Sequence, residues 1–103
     1  MNWQVQKQIT PLHFAAGAGR MEIVASQLDN GVDVNLPAEH DWTPLHFAAA
    51  WGCRPVAELL VSRGADTNAR TTHGQTPLEL AERYGRGSVA ELLRHHAARP
   101  AMQ

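Results

Sequence analysis

The stretch Thr10-Pro11-Leu12-His13-Phe14-Ala15-Ala16 returns unchanged as Thr43-Pro44-Leu45-His46-Phe47-Ala48-Ala49, and altered as Thr76-Pro77-Leu78-Glu79-Leu80-Ala81-Glu82. Both intervals are 33 residues. The rest of the unit keeps step. Gly19, Gly52 and Gly85 fall at one position, and Gly31 and Gly64 at another; Asp33 pairs with Asp66, Asn35 with Asn68, and His40 with His73. Self-similarity at a fixed period of this length is the signature of one supersecondary unit laid beside its own copies.

Each unit has a local physical reading. Thr-Pro starts a helix: the Thr oxygen caps it, and Pro at the first helical position loses nothing by lacking an N–H. Thr76-Pro77-Leu78-Glu79 has the spacing of a capping box, with Glu79 able to reach back to the Thr76 amide. His13 and His46 stand at that same third position and can do a similar job through an imidazole nitrogen. A helix of about two turns follows and ends near Gly19, Gly52 or Gly85, where glycine permits a reversal at positive φ. A second helix is predicted over 21–29, 54–62 and 87–95. Val56, Leu59 and Leu60, like Val89, Leu92 and Leu93, have the i, i+3, i+4 spacing of one buried face. Segments 32–42 and 65–75 are rich in turn-forming residues and read as connections between units.

With TPLHFAA, TPLHFAA and TPLELAE followed by GVDVN and GADTN at a 33-residue period, the chain resembles the ankyrin-repeat proteins. The resemblance spans about residues 5–98. It implies an all-α solenoid of three helix–turn–helix units joined by β-hairpin loops. The whole chain, 1–103, is then one domain, with repeats at about 5–37, 38–70 and 71–99. No single unit can bury its own apolar face, and about three stacked units are a practical minimum.

The units are not identical. Ser26-Gln27 replaces the Leu59-Leu60 and Leu92-Leu93 pairs, which suggests a polar N-terminal capping unit. Gly17-Ala18-Gly19 replaces Ala50-Trp51-Gly52, so the first helix is weak and unit one is expected to be the least stable. Trp3 and Val5 are candidates to close the open edge, unless a second molecule pairs with it. At the other end Arg94-His95-His96-Ala97 reads as a cap with cationic groups at a helix end.

Composition narrows the function. Nine Lys and Arg against ten Asp and Glu leave a net charge of −1, which argues against nucleic-acid binding. The charge is uneven, with −3 over 1–51 and +2 over 52–103, and could orient an acidic partner toward the later units. No apolar run is long enough for a membrane span, and the first residues have no signal-peptide pattern. A single cysteine, Cys53, cannot form an intramolecular disulfide and fits a reducing cytoplasm.

The candidate chemical motifs are weak. His13 and His46 recur at a structural period and are read as helix locks. His95 and His96 are adjacent on a helix and point about 100° apart, too far to share one ion. Gly85-Arg86-Gly87-Ser88-Val89-Ala90 matches a loose dinucleotide fingerprint, but a helix precedes it where a strand is required. Arg54 beside Cys53 could lower the thiol pKa. No catalytic constellation, cofactor or metal site is expected.

The resemblance instead points to a concave surface built from loop tips and exposed ends of the first helices. Mapped onto this chain, unit two supplies Glu39, His40, Trp42, Ala50 and Trp51. Unit three supplies Thr72, His73, Gln75, Arg83 and Tyr84, and unit one Gln6, Lys7, Ile9 and Ala18. Trp51 and Tyr84 are equivalent and are expected side by side; Trp, Tyr and Arg are the side chains most enriched at binding hot spots. The leading expectation is a non-catalytic module that binds a protein partner through Trp42, Trp51, Arg83 and Tyr84, with His40, His73, Gln75 and Glu39 around them. The alternative is a self-associating unit, a homodimer formed through the stack ends; the chain is expected to be a monomer or weak homodimer. A metal-assisted hydrolase is the least favoured reading.

Overall fold

The computed structural model describes residues 8–98. Six α-helices lie in three pairs: α1 (Pro11–Ala18) with α2 (Met21–Asp29), α3 (Pro44–Trp51) with α4 (Arg54–Ser62), and α5 (Pro77–Arg83) with α6 (Gly87–Ala98). Each helix packs on its pair mate and on its counterpart in the next pair. The first helices therefore form one layer, α1–α3–α5, and the second helices another, α2–α4–α6. Between the layers lies one core of small and branched residues: Leu12, Ala16, Val24, Leu45, Ala48, Ala49, Val56, Ala57, Leu60, Ala81, Val89 and Leu93 are all essentially sealed from solvent. Alanine at so many first-helix positions lets the helices approach closely.

The Thr-Pro starts behave as their chemistry requires. All three first helices begin with Thr in extended backbone and Pro at the first position, inside a capping box closed by His13, His46 or Glu79. Gly19 and Gly52 end α1 and α3 in the left-handed region, at φ 77° and 78°. The second helices begin and end as predicted in units one and two. In unit three α6 continues to Ala98, because Ala97 stands where Gly31 and Gly64, both at φ 91°, reverse the chain after α2 and α4.

The connections differ from the implied hairpins, for no strand is present among the described residues. Each is a tight turn with matching backbone bonds: Ala38 N–H donates to the Trp42 carbonyl at 2.7 Å and Asp41 N–H to the Ala38 carbonyl at 2.9 Å, as Thr71 N–H does to the Gln75 carbonyl at 3.0 Å and Gly74 N–H to the Thr71 carbonyl at 2.8 Å. His40 and Asp41 carry the first turn at φ 59° and 61°, and Gly74 carries the second at φ 76° at the position matching Asp41. Consecutive loops are joined to each other. Thr72 N–H donates to the His40 carbonyl at 2.9 Å, and Asp66 N–H to Asn35 Oδ1 at 2.8 Å. Asn35 and Asn68 N–H each donate, at 2.9 Å, to the aspartate two residues earlier, so the recurring Asp-x-Asn is an Asx turn that presents the Asn side chain.

The capping reading of unit one needs correction. Its outer face is apolar, with Phe14 69% and Ile23 44% exposed, and Ser26-Gln27 does not make it a polar end. Trp3 and Val5, proposed to close that edge, lie outside the described residues, as do Gln6 and Lys7.

Candidate functional site

The recurring histidines are structural. Thr10 N–H donates to His13 Nδ1 at 3.0 Å and Thr43 N–H to His46 Nδ1 at 2.9 Å, so Nδ1 carries no proton in either ring. The proton is on Nε2, which donates to the Leu36 carbonyl at 2.7 Å from His13 and to the Gln75 carbonyl at 2.9 Å from His46. Each histidine thus caps its own helix and holds the loop that follows its unit. Burial keeps both imidazoles below the ordinary 6.5, against the opposing influence of those carbonyls and, for His46, of the Ala69 carbonyl and Asp66. Glu79 closes its box with one arm only, accepting from Thr76 N–H at 2.9 Å; no described loop follows α6 for it to hold.

Cys53 is likewise turned inward. Its thiol donates to the Gly17 carbonyl at 3.3 Å, and Arg86, at the equivalent position one unit later, donates through Nε to the Ala50 carbonyl at 2.9 Å. These two side chains are matched inter-unit tethers. Burial pushes the Cys53 thiol up, with Arg86 pulling weakly the other way. Arg54, the sequence neighbour that could have lowered the thiol pKa, is engaged instead by Glu58 at 3.0 Å and the Ser88 carbonyl at 2.9 Å. The glycine-rich Gly85-Arg86-Gly87 is the turn from α5 into α6, with no strand before it. His95 and His96 stand perpendicular, their ring centroids 6.2 Å apart. No group of three potential metal ligands exists among the described residues.

The surface residues divide. Trp51 is 59% and Tyr84 49% exposed, at matching positions at the ends of α3 and α5. Trp51 is backed by α1: its Cδ1 lies 3.5 Å from where a Cβ on Gly17 would stand, an ordinary van der Waals distance. Arg83 is exposed beside Tyr84. His73, Gln75 and Arg83 line one shallow groove together with Glu79 and Glu82. Glu39 and His40 are exposed on the preceding loop, and the His40 and His73 rings are 5.9 Å apart, so neighbouring loop tips meet through their imidazoles. Trp42 is half-buried, with its ring edge-on to Phe47 at 5.2 Å and near His46 at 6.0 Å, so it braces the loop on α3. Ala50, expected at the surface, is buried under the next unit, whose Arg86 takes its carbonyl. The sequence reading passed over the Phe14 and Ile23 face. The clue was available in the register, since the matching Leu80, Val56 and Val89 carry the core.

Residues 1–71 match the family model described as ankyrin repeats (3 copies), and no curated protein matches the chain. The match covers units one and two, and unit three repeats their elements and spacing in both sequence and structure. Ankyrin repeats are generally protein–protein interaction modules and are typically non-catalytic. No described helix is long and apolar enough to cross a membrane. From its repeated Thr-Pro-Leu-His helix starts, its paired helices and this match, the chain belongs to the ankyrin-repeat family.

Proposed function

We propose that the chain, acting as one domain over 1–103, is a non-catalytic cytoplasmic module that grips a protein partner. The surface is centred on Trp51, Tyr84 and Arg83, with Glu39, His40, His73 and Gln75 along its loop edge and Trp42 at its margin. It needs no cofactor and no nucleic acid.

The observation that carries this reading is the exposure of Trp51 and Tyr84. In α3 the neighbouring Ala48, Ala49 and Ala50 are at most 1% exposed, whereas Trp51 leaves more than half its surface in water. A large ring kept in solvent at the same place in two consecutive units gains little from folding. It gains much from a partner, because aromatic side chains bury a large area for a small loss of rotamer entropy. Arg83 and the adjoining groove add directional donors and acceptors.

The test replaces Trp51 and Tyr84 together by Ala and compares the proteins captured from host extract with those captured by wild type. A Glu58→Ala variant on α4 serves as a control. Partners held by wild type and the control, and lost at least tenfold by the double variant with the thermal midpoint moved by only a few degrees, support the surface. An unchanged capture profile, or unfolding of the double variant, overturns it.

A further inference from the structure

The open groove on unit one carries a separate inference. Pro11, Phe14, Ala18 and Ile23 line it, and Arg20 borders it. In the later units the positions that match Pro11, Phe14 and Ile23 are closed, whereas Trp51 and Tyr84, which match Ala18, stay exposed. Pro44 and Pro77 are buried, Val56 and Val89 are fully buried, Leu80 is 1% exposed, and Phe47 is half-buried against the His13 ring at 5.4 Å. The unit-one groove is therefore a stacking face of the same design as two faces that are already occupied in this molecule, and it is left uncovered by the described residues.

The other end of the stack does not match it. Where unit one offers His13, Ala16 and Gly17 to its neighbour, and unit two His46, Ala49 and Ala50, unit three offers Glu79, Glu82 and Arg83, all exposed and with Glu82 paired to Arg94 at 3.3 Å. Seating Phe14 and Ile23 there would take these exposed charged side chains out of water, a costly exchange. Head-to-tail growth is disfavoured and face-to-face pairing is not. Arg20 borders the groove and Glu22 is exposed next to Ile23 on α2, and neither forms an ion pair among the described residues. A two-fold axis passing between Arg20 and Glu22 would set each arginine opposite the other copy's glutamate, the self-complementarity that an isologous contact requires. A net charge of −1 adds little repulsion between copies.

We propose that the Phe14–Ile23 groove is an isologous dimer interface, whose partner is the same groove of a second copy of this chain. Sedimentation of the full chain from about 5 to 500 μM tests it. The weight-average mass is expected to climb from 11.3 kDa towards that of two chains and no further. Phe14→Glu, at a site already exposed, should weaken the dimer at least tenfold with the helical circular dichroism unchanged. Arg20→Glu alone should weaken it as well, and Arg20→Glu with Glu22→Arg should restore it, since the pairs are then exchanged within a symmetric contact. A chain that stays at one-chain mass overturns the proposal; this is also the result if a segment of its own or a different protein covers the groove. So does mass growing beyond two chains, or a dimer indifferent to Phe14→Glu.

Discussion

At the scale of single residues, the two histidines set the pH behaviour of the fold. Their Nδ1 atoms accept from backbone N–H groups, and protonation there would set one N–H against another. The folded chain therefore holds both rings neutral at pH values where the unfolded chain, with an ordinary value of 6.5, takes up protons. Their contribution to stability is fully present above about 6.5 and is lost as the pH falls from there through the depressed folded values. The thermal midpoint is expected to drop between pH 7 and 5, and to drop less steeply in His46→Glu. That variant copies unit three and keeps the cap, but it faces the Gln75 carbonyl with a second acceptor; a cost of about 3 kcal/mol in urea unfolding is expected. The cap was legible in Thr-x-x-His. The second arm was not, because its acceptors lie 23 and 29 residues away in sequence and only the stacking of units brings them close. Cys53 teaches the same point: its sequence neighbour Arg54 is engaged elsewhere, and its true partner is the Gly17 carbonyl. The thiol is expected to alkylate at least tenfold more slowly in the folded chain than in urea at pH 8, measured by mass spectrometry.

Among the elements, α1 is the weakest for a reason that can be removed. Gly17 lies inside the helix at ordinary backbone angles, where Ala is favoured by about 0.5–1 kcal/mol. A Cβ there would meet Trp51 Cδ1 at 3.5 Å and Phe47 Cβ at 3.7 Å, both ordinary contacts. Gly17→Ala is expected to raise the thermal midpoint by a few degrees. Gly52→Ala is expected to lower it, because that residue sits at φ 78° and its Cβ would come within 2.9 Å of Arg86 Cδ. Of the two end pairs, each with a neighbouring pair on one side only, α1 and α2 should exchange amides faster, because Gly17 weakens α1. Helix positions were largely readable from capping and apolar spacing. The extension of α6 to Ala98 departs from that reading because Ala97 supplies no reversal. The bare outer side of α1 is not legible in Ser26-Gln27, because it is set by Phe14 and Ile23, whose exposure depends on there being no further unit against them among the described residues.

For the whole molecule, the two ends of the stack are chemically unlike: apolar at unit one, charged at unit three. Glu82→Ala with Arg83→Ala returns unit three to the small residues of the earlier units, and is expected to permit end-to-end growth. Light scattering that rises with concentration in this variant, and not in wild type, is the measurement. The candidate surface was legible in part. Trp51 and Tyr84 stand in solvent as their positions implied, whereas Trp42 and Ala50 are drawn into packing, an outcome decided by neighbours that sequence order alone does not rank. The cross-links described above, from Cys53 to Gly17, Arg86 to Ala50, Asp66 to Asn35 and Thr72 to His40, all reach back a single unit. Tension applied to the two termini would therefore be borne in series, clasp by clasp. The chain should pay out in discrete steps from an end, each step leaving the remaining units engaged.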